Sequence, residues 1–202
     1  IQLRGVSEDV HPMLLRELIA LGLVNSNPSL DALRPTVMPF WREGDLSDRL
    51  GASLAGISLP DLPDKMGIVI DTWIARIMPN TPGDFRFEVT QDQTLILRAD
   101  GAERGWEIGE SEATEALGEM ARWFVETGGA NSGRMAKHLT NATLPAAWQT
   151  ALPGSTGDAA SPGEGPKGYI FGVPFGQTDA DALEILMTTT QATGLRVTPW
   201  RL

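Results

Sequence analysis

The sequence predicts an α+β fold, and three observations carry that prediction. The stretch "DFRFEV" alternates apolar and charged residues, turns at "QDQ" and returns as "TLILRADG", which is typical of a β-hairpin. The run "MGIVID" is continuously apolar and rich in β-branched residues, which indicates a buried strand. Leucines at helical spacing between Asp45 and about Ile57 predict a helix with one buried face, formed by Leu46, Leu50 and Leu54.

The segments before that helix are shorter. "IQLRGV" is predicted as a strand, and Ser7 is expected to cap a helix that runs to about Leu21 and stops at Gly22. "NPSLDAL" predicts a helical turn and "TVMPF" an extended segment. Because the sequence starts at Ile1, inside an apolar alternating segment, we expect that the chain was cut from a longer protein.

Helices dominate the region after the hairpin. A long helix is predicted from about Ser111 to Thr127, ended by two successive glycines. Shorter helices are expected near residues 133–139 and 145–150. The following stretch, "LPGSTGDAASPGEGPKG", is poor in apolar residues and dense in Gly, Pro and Ser, so it is predicted to be a mobile linker.

Beyond the linker the pattern predicts a strand–helix–strand unit. "GYIFGVPFG" is the first strand, the helix spans about Thr178 to Thr193, and "LRVTPWRL" is the closing strand. Thr178 is a candidate N-cap and Gly194 a candidate left-handed exit. Such a unit is half of a ferredoxin-like fold and leaves one strand edge without a partner, for which "IQLRGV" and its following helix are the candidate.

Charge and composition exclude several classes of function. Sixteen Lys and Arg against twenty-six Asp and Glu give a net charge of −10, which disfavours a nucleic-acid or membrane-surface binder. There is no cysteine, so this chain can form no disulfide and can hold neither a thiolate zinc site nor an iron–sulfur cluster. His11 and His138 are isolated and are expected to be structural or solvated. A cytoplasmic location is expected.

Six segments occur in an order that resembles the siroheme-type nitrite and sulfite reductase superfamily, most closely its precorrin-3B synthase branch in cobalamin biosynthesis. They are "IQLRGV", "LDALRPTVMP", "LPDKMGIVID", "LILRADGA", "GVPFGQTDADAL" and "LRVTPWR". The resemblance implies the last strand and helix of a first ferredoxin-like half at residues 1–24 and half of a cofactor domain at 25–150. It implies a second ferredoxin-like half at 168–202, after a linker at 151–167.

The resemblance also implies site residues. Arg34 and Lys65 match cationic active-site positions, and Arg201 matches the arginine that closes the last strand. Arg4 and Trp200 are further candidates for contact with a cofactor. Tetrapyrroles of this kind carry many carboxylates on a flat apolar ring, which arginine binds bidentately. Gly67 stands where sulfite reductases carry a second lysine, which favours the precorrin branch.

Three functions follow as alternatives. The chain is a fragment of a precorrin-3B synthase-like redox enzyme, a fragment of an assimilatory siroheme reductase, or a non-enzymatic tetrapyrrole-binding or structural paralogue. The resemblance implies a 4Fe-4S cluster, and siroheme in the reductase branch, in the full-length parent, but no cofactor bound within these residues. The expected partners are a precorrin-like tetrapyrrole and the missing C-terminal half of the parent.

Overall fold

The structure is a computed structural model. It describes residues 3, 5–24, 26, 36–38, 46–73, 75–158, 160–165, 168–195 and 198. Contacts divide the chain into two compact units, Ile1–Arg34 and Pro35–Leu202. The α+β class is confirmed, because the larger unit combines a mixed five-stranded sheet with helices. Within the described part of the chain, no helix is long and apolar enough to cross a membrane.

The first unit contains helix α1, His11–Ala20. The helix begins three residues later than a Ser7 cap predicts, and Ser7 contributes its backbone carbonyl, which accepts from the amides of Val10 and His11. The predicted end at Gly22 is confirmed. Gly22 has φ +70°, and the following amide of Leu23 donates back to the carbonyl of Leu18 across 2.9 Å.

The central sheet belongs to the second unit and has the order β1-β2-β3-β4-β5. Its strands are β1 (Thr36–Val37), β2 (Ile68–Asp71), β3 (Phe85–Val89), β4 (Leu95–Ala99) and β5 (Trp106–Glu107). The first three strands run parallel, and β4 and β5 each pair antiparallel with the preceding strand. The predicted hairpin is therefore confirmed as β3 and β4, and the predicted buried strand as β2.

One described helix of this unit lies between β1 and β2, and two more follow β5 before the C-terminal part of the unit. They are α2 (Leu46–Leu54), α3 (Ala113–Glu126) and the short α4 (Met135–His138). The predicted leucine face of α2 is confirmed, since Leu50 and Leu54 are buried and Leu46 is half-buried against the same core. Gly128, with φ +88°, follows the end of α3 where the sequence predicts it. Residues 146–148 form a single 3₁₀ turn.

One face of the sheet carries the hydrophobic core. Phe85 and Phe87 of β3 point to this face together with Ile68 and Ile70 of β2, because alternate residues of a strand share a face. They join one cluster with buried side chains of α2 and α3, namely Leu50, Leu54, Leu117, Met120 and Phe124. This core explains why α2 and α3 form on amphipathic sequences.

The opposite face of the sheet is covered by irregular chain. Gly154 donates its amide to the carbonyl of Val89, and the Arg76 amide donates to the carbonyl of Ser155. Gly157 in turn donates to the carbonyl of Arg76. The first residues of the predicted linker, 151–157, are thus hydrogen-bonded to the sheet and to the loop after β2. They form part of the cover of this sheet face.

The C-terminal part of the second unit is small. Strands β6 (Gly163–Gly165) and β7 (Gly168–Ile170) form an antiparallel pair, so β6 arises inside the predicted linker. Helix α5 is Ala180–Thr190. Its N-cap is Asp179, whose side chain accepts from the Ala182 amide, and not the predicted Thr178. Gln191, with φ +52°, makes the left-handed exit predicted for Gly194.

Candidate functional site

The candidate site lies where the chain enters β2. A turn closed by the Met66 amide and the Pro63 carbonyl ends at Lys65, and the next residue is already fully buried. Lys65 itself is exposed. Among the described residues, its ammonium has no hydrogen-bond or ion-pair partner. A cation thus stands at the surface on a backbone that is fixed by the buried strand behind it.

Arg134 holds this turn in place although it lies 69 residues further along the chain. It immediately precedes α4, and its Nη1 donates to the Lys65 carbonyl oxygen across 2.9 Å. Its Nε donates to Oδ1 of Asp84 at 3.1 Å, and its side chain is 37% exposed. Two guanidinium nitrogens therefore hold the residue in place while part of the side chain remains accessible.

Asp84 is the buried centre of the site. It is 0% exposed, and its Oδ1 accepts from the Met135 amide at 2.8 Å in addition to Arg134. Oδ2 accepts from the Gly67 amide at 3.1 Å. The Asp84 amide returns a bond to the Gly67 carbonyl. One carboxylate thus ties the start of β2 to the start of α4, which brings Lys65 and Arg134 together.

Gly67 has a backbone role in this arrangement. It is buried, its amide donates to Asp84, and its carbonyl accepts from the amides of Asp84 and Phe85. Of the residues predicted for the site, only Lys65 lies among the described ones. Arg4, Arg34, Trp200 and Arg201 lie outside the described residues, so their predicted convergence with Lys65 stays a prediction.

A second charged cluster lies on the loop-covered face of the sheet. Glu88 of β3 is 0% exposed, and both its oxygens accept from Arg98 of β4, at 2.6 and 2.8 Å. Its Oε1 also accepts from Arg86 at 3.1 Å and from Arg76 at 3.3 Å. Burial alone raises the pKa of Glu88, but the Arg98 hydrogen bonds and the three arginine charges outweigh it and hold that pKa below its ordinary value.

This cluster fastens the covering loops to the sheet. Arg86 is 1% exposed and donates to the carbonyls of Thr81 and Met78 as well as to Glu88. Arg76 donates through Nε to the Gly154 carbonyl at 2.9 Å. Because Arg86 and Glu88 are enclosed, a ligand has no access to them, and the cluster is structural.

Asp71 is the residue on the loop-covered face whose hydrogen bonding is incomplete among the described residues. It is 0% exposed and in register with Glu88 across the parallel β2–β3 pair. Its Oδ2 accepts from the Met78 amide at 2.7 Å, but its Oδ1 has no hydrogen-bond partner among the described residues. Burial, together with the nearby Glu88 charge, raises the pKa of Asp71 above its ordinary value.

Aromatic rings form a third cluster, beside the core. Trp106 and Trp148 stack with centroids 5.3 Å apart, and Trp123 meets Trp148 edge-on at 5.9 Å. His138 lies 5.3 Å from Trp123 and 5.1 Å from Phe124, and its Nε2 is 2.7 Å from the Thr127 hydroxyl. His138 is thus buried and hydrogen-bonded among rings, in a structural role.

Metal-binding chemistry has no support in the described part of the chain. No group of three or more His, Asp or Glu side chains is arranged there so that it could hold a metal ion. Comparison of the chain with protein-family models, with curated proteins and with solved structures finds no match.

Proposed function

We propose that this chain is part of a precorrin-3B synthase-like redox enzyme of the nitrite and sulfite reductase superfamily, acting on a tetrapyrrole in cobalamin biosynthesis. In this proposal Arg34 and Lys65 are the cations of the active site, and Arg4, Trp200 and Arg201 contact the ring or its acidic substituents. Precorrins carry acetate and propionate groups, and cations at the protein surface bind such carboxylates through charge-assisted hydrogen bonds.

The observation that carries the proposal is the position of Lys65. An exposed ammonium with no partner in the described structure stands on a turn whose own carbonyl is held by Arg134 and whose next residues are buried. A backbone fixed in this way keeps the cation in one region, which lowers the entropic cost of binding an anion. On a chain of net charge −10, a fixed local cation is the arrangement that a carboxylate ligand requires.

Of the two kinds of cofactor that the resemblance implies, the tetrapyrrole fits the residues of this chain and the iron–sulfur cluster does not. A 4Fe-4S cluster takes cysteine thiolates, and these 202 residues contain none, so the chain does not fit a cluster and would leave that role to another part of the parent. A carboxylate-bearing tetrapyrrole, siroheme or precorrin, fits the cation at Lys65. Gly67, in place of a second lysine, favours the precorrin branch over the siroheme reductases.

Direct titration with uroporphyrin III, a stable porphyrin with eight carboxylates, tests the proposal. We expect the whole chain to bind this probe, and Lys65→Ala to weaken binding about ten- to a hundredfold, because one charge-assisted contact is lost. The matched control is Arg104→Ala, which changes the net charge equally and removes an exposed arginine that, like Arg134, donates to a backbone carbonyl. Absence of binding by the wild-type chain would refute the proposal.

The coding sequence beyond residue 202 distinguishes the third alternative, a paralogue without a redox centre, from a redox enzyme. Two closely spaced pairs of cysteine codons there support the enzyme, since they supply the four thiolates of a cluster. A stop codon supports the non-enzymatic alternative. Binding of uroporphyrin III is expected for the enzyme and for a tetrapyrrole-binding paralogue but not for a purely structural one, so the coding sequence and the titration test different points.

A further inference from the structure

We infer that Arg134 is a second carboxylate-binding side chain of the Lys65 site, so that an ammonium and a guanidinium meet the same acidic substituent of the ligand. The inference rests on the proposed function, because it takes a tetrapyrrole carboxylate as the ligand. Nothing in the sequence motifs assigned Arg134 to the site. It is the geometry around Lys65 and Asp84 that points to it.

The guanidinium of Arg134 is held by two of its nitrogens and open at the third. Nε donates to Asp84 at 3.1 Å and Nη1 donates to the Lys65 carbonyl at 2.9 Å. Nη2 has no partner among the described residues. An arginine fork that is already oriented loses little entropy when it binds, and its remaining N–H groups suit a carboxylate.

Arg86 shows what a purely structural arginine looks like in this protein. Its Nε, Nη1 and Nη2 all donate to protein acceptors, and it is 1% exposed. Arg76 of the same cluster also leaves Nη2 without a described partner but is only 14% exposed, whereas Arg134 is 37% exposed. If its task were only to anchor the turn, the same enclosure would be expected. The difference indicates a donor that is kept available for an external acceptor.

The anchor also brings the two cationic residues close together. Arg134 is bound to the carbonyl of Lys65 itself, so both charged groups belong to the same small area of surface. Asp84 is buried beneath them and its oxygens accept from Gly67, Met135 and Arg134. It therefore acts as a positioning residue, which orients the guanidinium without contacting the ligand.

The experiment is a mutant cycle with uroporphyrin III as the probe, on the full chain. Arg134→Gln removes the charge but keeps an N–H donor for the Lys65 carbonyl, and Arg134→Lys keeps the charge but loses the fork. We expect Arg134→Gln to weaken binding about ten- to a hundredfold and Arg134→Lys to weaken it less. Arg104→Gln, the matched control with the same change in charge, should bind like the wild type.

A double variant, Arg134→Gln combined with Lys65→Ala, tests whether Arg134 contacts the ligand or only positions Lys65. If Arg134 meets the ligand, Arg134→Gln still weakens binding by at least about threefold in the Lys65→Ala background. If Arg134 only positions Lys65, the second change has no effect in that background, and the inference is overturned. Circular dichroism melts verify the fold. Should Arg134→Gln fail to fold, wild-type affinity in Arg134→Lys overturns the inference and weakened binding supports it.

The outcomes also distinguish this inference from the proposed function. Wild-type affinity in Arg134→Gln, together with weakened binding in Lys65→Ala, refutes the role of Arg134 and leaves the proposed function standing. Failure of the wild-type chain to bind uroporphyrin III refutes the proposed function, and the inference falls with it.

Discussion

Glu88 of β3 and Arg98 of β4 are diagonal neighbours across the hairpin, since Glu88 pairs in register with Ile96, and both carboxylate oxygens of Glu88 accept from the Arg98 fork, at 2.6 and 2.8 Å. The pair is the centre of a buried cluster in which Arg86 and Arg76 also donate to Glu88. Charges removed from water cost several kcal/mol each, so this cluster is tolerated only because every member finds partners. Removal of its one shared acceptor is therefore expected to be severe.

We predict that Glu88→Gln lowers the free energy of unfolding by about 3–5 kcal/mol, because three arginines then lose their common anion. Denaturant unfolding measures the change. Glu110→Gln is the matched control, since Glu110 also meets an arginine, Arg49, through two hydrogen bonds but at the surface, and it should leave stability nearly unchanged. Equal effects of the two substitutions would contradict the structural role of the cluster.

Acid should weaken the same cluster. The folded-state pKa of Glu88 is held below its ordinary value of 4.5, so the native protein binds fewer protons than the unfolded chain as the pH falls below that value. The contribution of Glu88 is present above the ordinary pKa and is lost as the pH falls through the lowered one. The slope of stability against pH in this range should accordingly be shallower in Glu88→Gln than in the wild type.

Asp71 should show the opposite dependence on pH. Its folded-state pKa is raised above the ordinary value of 3.8, so the native protein retains a proton that the unfolded chain has lost. The native state is therefore penalised as the pH rises through that raised pKa. We predict that Asp71→Asn, which keeps an acceptor for the Met78 amide, raises the denaturant midpoint at neutral pH.

The gain in Asp71→Asn should shrink when the same measurement is made well below pH 3.8, where the aspartate is protonated in both states. A gain that is equal at both pH values would point to a cause other than ionisation. The unpartnered Oδ1 of Asp71 makes the position sensitive, since a buried polar atom without a hydrogen bond carries a desolvation cost.

The local pattern of the sequence predicted much of the sheet, but not what covers it. Alternation in "FRFEV" predicts that Arg86 and Glu88 share a face, and the structure agrees. It cannot predict that this face is buried, because the cover comes from irregular segments, including residues 151–157, whose Gly- and Pro-rich composition is typical of a linker. Composition indicates how flexible the unfolded chain is. The hydrogen bonds of Gly154 and Gly157 are made to the carbonyls of Val89 and Arg76, which only the fold brings near them.

The candidate site was predictable to a similar extent. Lys65 could be predicted because the segment "LPDKMGIVID" resembles the reductase family, in which this position is an active-site lysine. Arg134 could not, because its contact is with a backbone carbonyl 69 residues away, and a carbonyl carries no sequence signal. Asp84 was equally hidden, since an aspartate before a strand is indistinguishable from an ordinary turn residue.

The last prediction concerns Asp84, whose two oxygens accept from two backbone amides and one guanidinium nitrogen. In Asp84→Asn one oxygen becomes an NH₂ group, which would face a donor in either orientation of the amide. We expect the free energy of unfolding to fall by about 1–3 kcal/mol, because at least one buried donor loses its acceptor. Hydrogen exchange should become faster at the Gly67 amide or at the Met135 amide, whichever faces the new NH₂ group.

Asp100→Asn is the control for this prediction. Asp100 carries the same charge, but its side chain is 35% exposed and its only described ion pair is a 3.5 Å contact with Arg86. We expect it to change stability less than Asp84→Asn and to leave exchange at Gly67 and Met135 unaltered. If Asp84→Asn keeps wild-type stability and wild-type exchange at both amides, the carboxylate is not what ties β2 to α4, and the positioning of Lys65 must come from the burial of Met66 to Asp71 alone.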